Sequence, residues 1–206
     1  MEFFFDFVSP YAYFASTQID PLGERFGRKV AWKPLLVGVT VTKVMGLKPL
    51  PQTPLKSDYI AHDKPRMAKL LGIPFRQPDM TGVSSVAALR AYMALDAQSP
   101  SMARAFAHEI FRRLWVENLG IDSEDAISQA CDAIGTGAPL RTVAVAAMTS
   151  DEGRHALKTA VDEAIARGVF GTPFFIVDGE PIWGVDRLWM VEHWLRHRSW
   201  EPQPAV

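Results

Sequence analysis

The chain has 206 residues, 48% of them hydrophobic, enough for one domain, or for one domain carrying an insertion. Lys plus Arg number 22 against 23 Asp plus Glu, and a net charge of -1 offers no electrostatic handle to nucleic acid or an anionic membrane. No segment reaches the roughly 18 apolar residues of a membrane span, Glu2 and Asp6 stand where a secretory leader would be basic, and the single cysteine, Cys131, excludes an intrachain disulfide, so a cytoplasmic protein is expected.

Residues 3–8, Phe3-Phe4-Phe5-Asp6-Phe7-Val8, read as a buried strand of β-prone side chains. Ser9-Pro10 follows, and residues 11–26 have helical spacing closed by Gly27. Proline suits a first helical position, where its missing N–H would be orphaned anyway. Ser9 therefore falls at or beside an N-cap, its hydroxyl among unpaired N–H groups at the positive end of a helix dipole. Such a place stabilises an anion. A second strand fits residues 29–36, with Val30, Trp32 and Leu35 apolar, and Pro34 suits an edge or a strand end. Residues 38–54, rich in Gly, Pro, Thr and Val, predict an ordered loop with a short helix at 41–45. A long loop inside a compact domain is often functional.

Helical spacing then marks residues 57–71, 84–97 and 101–118. Asp122-Ser123-Glu124-Asp125 opens another helix, with Asp125 at the N3 position of a capping-box-like start. Residues 140–148 form a short helix, and Ser150 caps one running to Arg167, with Gly168 past its end. Strands are expected at 173–177 and 181–183, Asp186-Arg187 opens a last amphipathic helix, and the tail 201–206 is expected to be loose. The order β-α-β, helices, α-β-β-α predicts an α/β chain: a thioredoxin-like fold interrupted by an all-helical insertion domain. Residues 1–37 and 155–206 make the discontinuous thioredoxin-like domain, and 38–154 the insertion.

A thioredoxin-type redox site needs Cys-x-x-Cys at the strand-to-helix turn, because one thiolate attacks and a second thiol resolves. The tetrad here is Ser9-Pro10-Tyr11-Ala12, so dithiol chemistry is excluded at this turn. In this fold a cis proline heads the third strand and faces the turn. Thr172-Pro173 holds that place, and Thr172 would present its backbone to an extended peptide. Other motifs fail: His108-Glu109 lacks the second His of a zincin, His193 and His197 lack a third ligand, and Cys131 reads as a small buried apolar residue.

Three segments, 5–11 (FDFVSPY), 170–175 (FGTPFF) and 183–188 (WGVDRL), resemble the 2-hydroxychromene-2-carboxylate isomerases of the DsbA-like, kappa-class glutathione transferase group. The middle is similar too, through Lys56, Tyr59, Asp63, Arg66 and the run Phe111-Arg112-Arg113-Leu114-Trp115. The resemblance implies glutathione as cofactor. It places Ser9 at the glutathione sulfur, the Thr172 backbone and Pro173 against the cysteinyl unit, and Trp183, Gly184, Val185, Asp186 and Arg187 around the γ-glutamyl end. Lys56 would meet the glycyl carboxylate as a point charge, or be an ordinary solvated lysine. Pro10, Tyr11 and Gln52 fall on the substrate side, and Gln52 lies in a loop where the family often carries Asn. The physics agrees. A hydroxyl donor and a helix N-terminus both favour the thiolate of a thiol whose free pKa is about 8.5. Asp186 suits an amine, and the N–H groups after it suit a carboxylate. The implied activity is glutathione-dependent interconversion of 2-hydroxychromene-2-carboxylate and trans-o-hydroxybenzylidenepyruvate. That makes the partners a small aromatic 2-oxo or 2-hydroxy acid and, by resemblance, a second copy of the chain. The alternatives are a kappa-like transferase acting on other electrophiles and a non-catalytic glutathione- or peptide-binding module.

Overall fold

The aromatic run enters the sheet as β1 (Glu2–Phe5) in the computed structural model, which describes residues 1–201. The run is unbroken because both of its faces are covered. Phe3 and Phe5 project into the main core with Trp32, Tyr92, Phe111 and Phe175. Phe4 projects the other way, into a cluster with Leu35, Ala164, Val169, Phe174 and Ile176. β2 (Ala31–Pro34) lies parallel to β1, while β3 (Phe174–Val177) pairs antiparallel with it and β4 (Glu180–Trp183) antiparallel with β3. The order is β2-β1-β3-β4, so Pro34 is on an edge strand, where its missing N–H costs no ladder bond. Asp178 and Gly179, both at positive φ (54° and 91°), make the two-residue turn between β3 and β4.

Eight α-helices surround this sheet among the described residues: α1 (Pro10–Arg25), α2 (Lys56–Leu71), α3 (Val86–Gln98), α4 (Pro100–Trp115), α5 (Glu124–Ala133), α6 (Gly137–Ala147), α7 (Asp151–Ala166) and α8 (Leu188–His197). α3 packs on α4, α6 and α7, and α7 covers the Phe4 face. Side chains from the inserted helices close the outer edge of β2. The Tyr92 hydroxyl donates to the Trp32 carbonyl (3.3 Å) and Arg104 donates to the Val30 carbonyl (2.9 Å). Arg104 also holds both oxygens of Asp20 and lies 4.7 Å above the Trp32 ring, so one side chain ties α4 to α1 and β2. Cys131 is fully buried on α5, as its sequence setting suggests.

The expected elements are present, with shifts at their ends. β1 stops at Phe5 instead of running to residue 8, because the chain turns at Asp6. The loop at 38–54 holds a π-helical turn at Val39–Val44, earlier and wider than the short helix expected at 41–45, and a 3-10 turn at Leu50–Gln52. The cap of α5 is Ser123, whose hydroxyl accepts the Ala126 N–H at 3.1 Å. N3 is therefore Ala126, and the capping box expected through Asp125 does not form. The 154/155 boundary drawn from sequence falls inside α7, whose N-cap is Ser150. Of the tail expected to be loose, residues 202–206 lie outside the described residues.

Candidate active site

α1 begins at Pro10 because Ser9 ends the turn in an extended conformation (φ -99°, ψ 113°) with its Oγ accepting the Ala12 N–H at 3.2 Å. No acidic residue sits in the first turn of α1, so its N-terminal positive end is uncompensated there. Ser9 is 7% exposed. Its hydroxyl donates to the Thr172 carbonyl at 3.2 Å, across 163 residues of sequence. The Thr172–Pro173 bond is cis, as expected. The two most separated parts of the motif therefore meet, and Pro173 is buried behind them.

The third part joins through the backbone. Gly184 N–H donates to the Pro173 carbonyl at 3.0 Å, which sets the segment 183–187 beside the cis peptide. Gly184 has φ 104°, and a Cβ there would meet Asp186 Oδ1 at 2.4 Å, so this turn requires glycine. Gly171 packs under the Trp183 indole, where a Cβ would lie 3.0 Å from Nε1, and the Phe170 ring stands 4.9 Å from the same indole. Val185 is buried, so it can offer only backbone to a ligand. Asp186 does not cap α8: it lies in a 3-10 turn (Val185–Arg187), and the N-cap of α8 is Arg187. Its exposed carboxylate lies 3.7 Å from the Arg187 guanidinium, which also donates to the Trp183 carbonyl at 2.9 Å.

The substrate-side residues are arranged differently. Pro10 is half-buried at the first position of α1. The Tyr11 hydroxyl donates to Asp63 Oδ2 on α2 at 2.6 Å, and burial together with that carboxylate pushes its pKa far up. What Tyr11 offers a ligand is its ring. Asp63 in turn accepts from Arg66 at 2.7 Å, and Arg66 reaches the Tyr59 hydroxyl at 3.3 Å while lying 5.5 Å over its ring. Hydrogen bonds to Arg66 and Tyr11 hold the Asp63 carboxyl below the usual range against the opposing effect of burial. Lys56 and Gln52 are exposed at the start of α2 and in the turn before it, and no described hydrogen bond joins either to Ser9, Thr172 or Asp186.

One residue escaped the sequence reading. Asp6 is 1% exposed, and its carboxylate accepts Val8 N–H (3.3 Å) and Val37 N–H (2.9 Å) while its carbonyl accepts Ser9 N–H (3.0 Å). Burial pushes its pKa up to about 6, against the ordinary 3.8. The signal was there to read: a lone acid inside a run of aromatic strand residues. Trp115 on α4 adds a further brace, donating to the Phe7 carbonyl at 2.8 Å. A cleft of about 380 Å³ opens beside Trp183 and Arg187, with Ile182, Met190 and Trp200 among its walls. A larger one of about 480 Å³ lies away from Ser9, between β2, α3 and α7.

Residues 1–196 match the family model described as a DSBA-like thioredoxin domain. The chain belongs to that family. This DsbA-like chain is 26% identical over 193 residues to 2-hydroxychromene-2-carboxylate isomerase of Pseudomonas putida, covering 93% of this chain and 92% of that protein. It is 25% identical over 215 residues to glutathione S-transferase kappa 1 of Homo sapiens, covering 100% and 95%. Among solved structures, a 2-hydroxychromene-2-carboxylate isomerase aligns with TM-score 0.81 at 24% identity, over 96% of this chain and 94% of that one. The cytosolic disulfide reductase DsbM of Pseudomonas aeruginosa, solved with GSH, aligns with TM-score 0.67 at 18% identity, over 95% of each. The relatives are thus isomerases and glutathione transferases, and the structural likeness shows the fold. Among the described residues, no helix is long and apolar enough to cross a membrane.

Proposed function

We propose that the protein is a glutathione-dependent isomerase that interconverts 2-hydroxychromene-2-carboxylate and trans-o-hydroxybenzylidenepyruvate, working in the breakdown of aromatic compounds. The observation that carries this reading is the 3.2 Å contact between the Ser9 hydroxyl and the Thr172 carbonyl, at a helix N-terminus that lacks both redox sulfurs. A turn of this kind binds a thiolate and cannot itself exchange disulfides. Glutathione, when bound, supplies a sulfur nucleophile whose reversible addition to the unsaturated acid would let the former double bond turn.

The residues present fit that group. The Ala12 N–H fixes the position of Ser9 Oγ, so the remaining freedom is where the hydroxyl proton points. It points to the Thr172 carbonyl here. Turned toward a sulfur, it stabilises the thiolate together with the uncompensated end of α1, and the Thr172 carbonyl becomes available to an N–H of an extended peptide. Sulfur binding and backbone pairing are then one event. Asp186, exposed beside Gly184, suits the γ-glutamyl amine, with Trp183, Val185 and Arg187 around it. Lys56 and Gln52 would complete the glycyl and substrate sides, and the Tyr11 ring, held by Asp63, would form one wall for the aromatic acid. A cytoplasmic location belongs to the same proposal, supported by the cytosolic disulfide reductase among the similar structures, and homodimerisation is proposed with it from the family resemblance alone.

Dialysed protein should isomerise the chromene only after glutathione is restored, with saturation in glutathione. Full turnover without it would refute the proposal. Glutathione conjugation of simple electrophiles without isomerisation would favour a kappa-like transferase, a reading that the human relative supports. Binding without either reaction would leave a glutathione-binding module.

A further inference from the structure

We propose that Asp6 is a positioning residue: it fixes the Ser9 turn against the first inserted segment, so that the sulfur-binding and substrate-facing surfaces keep one spacing. This rests on the proposed glutathione chemistry at Ser9. Three strands of observation meet at the carboxylate. One oxygen accepts Val8 N–H, next to Ser9, and the other accepts Val37 N–H, where the chain leaves for the insertion. The Ser85 hydroxyl, at the start of α3, also faces it. The chain after Val37 runs through the π-helical turn at Val39–Val44 to Gln52, proposed for the substrate side, and Lys56, proposed for the glycyl carboxylate of glutathione.

Burying a carboxylate is costly, and this one has no cationic partner among the described residues. The groups acting on it are the Ser85 hydroxyl and the N–H groups of Val37, Val8 and Phe7. All of them are donors, and the ionised carboxylate accepts from them on both oxygens with no proton of its own to place among them. Asparagine has the shape but turns an NH2 toward one of these N–H groups. A protonated acid likewise spoils one side of the joint. A residue that only filled space here would be apolar. The acid joins the Ser9 turn to the start of the insertion, much as Asp63 on α2 joins Tyr11 to the insertion farther along.

The test combines a titration of the unaltered protein with one variant. In wild type, NMR should show the amides of Val8, Ser9 and Val37 shifting together with the Asp6 carboxyl carbon, with a shared midpoint near pH 6. Asp6→Asn should lower kcat for isomerisation by about tenfold or more, alter the KM for glutathione by less than about threefold, and abolish the acid limb that this group contributes to kcat. A folded Asp6→Asn with wild-type kcat and an unchanged acid limb overturns the proposal. So do Val8 and Val37 amides that ignore the Asp6 titration, and that readout stands even if the variant does not fold. A wild-type protein with no isomerase activity removes the proposed function instead, while the amide titration still decides whether Asp6 joins the two segments.

Discussion

Asp6 also makes a quantitative claim about stability. Its pKa is about 6 in the folded protein and 3.8 ordinarily, so the folded state holds the proton more tightly than the unfolded one. The stability that this gives is complete below about pH 3.8 and is lost as pH rises through 6. The gap between those values, at about 1.4 kcal/mol per pH unit, amounts to about 3 kcal/mol. The group is 1% exposed, so solvent screening takes little from that figure. Asp6→Asn cannot titrate, and every other carboxyl is common to both proteins. The difference in unfolding free energy between wild type and variant should therefore change by about 3 kcal/mol from about pH 3.5 to about pH 7, to the disadvantage of wild type at the higher pH. Urea unfolding at a series of pH values, with matched m-values, measures this. A difference that stays flat to within about 0.5 kcal/mol would refute the reasoning, because it would mean the carboxylate is ionised in the fold at no cost.

Ser9→Ala should slow isomerisation by roughly 10- to 1000-fold, equivalent to about 1.4–4 kcal/mol, and cost about 0.5–2 kcal/mol of stability through the lost cap. Steady-state kinetics beside thermal unfolding separate the two effects, and a rate loss no larger than the stability change explains would count against the hydroxyl. Thr172→Val should leave glutathione affinity within about threefold, since the proposed contacts are backbone. It should leave stability unchanged or up to about 1 kcal/mol higher, because Thr172 Oγ1 is buried with no hydrogen-bond partner among the described residues. A tenfold loss by calorimetry would show that the hydroxyl binds ligand. Phe5→Ala, which removes a fully buried ring standing 5.1 Å from Tyr92 and 5.2 Å from Phe7, should destabilise by about 3–5 kcal/mol in denaturant titration.

That Thr172-Pro173 faces the Ser9 turn was legible from the local residue types together with the layout of the thioredoxin-like fold, whereas the hydroxyl-to-carbonyl bond between Ser9 and Thr172 appears only in the structure. The sheet was legible because a doubly covered strand needs a continuous apolar run, which Phe3-Phe4-Phe5 supplies. The helix starts were less so. Ser123 and Asp122 are both good caps, and only the backbone shows that Ser123 takes the Ala126 N–H. The Tyr11–Asp63 bond spans 52 residues, so no local pattern announces it, although it commits a hydroxyl that sequence alone would offer to a ligand. A short helix was expected at 41–45, but its earlier start and wider winding at Val39–Val44 were not, because the four Val and Thr side chains from Val39 to Thr42 favour extended chain locally.

The central claim is that this turn binds glutathione as its thiolate. The direct measurement is the thiolate absorbance of glutathione titrated in the presence of excess protein, beside free glutathione. The account predicts an apparent thiol pKa at least one unit below the free value of about 8.5, with the shift reduced in Ser9→Ala. A bound thiol that titrates where free glutathione does, in wild type and variant alike, would contradict it.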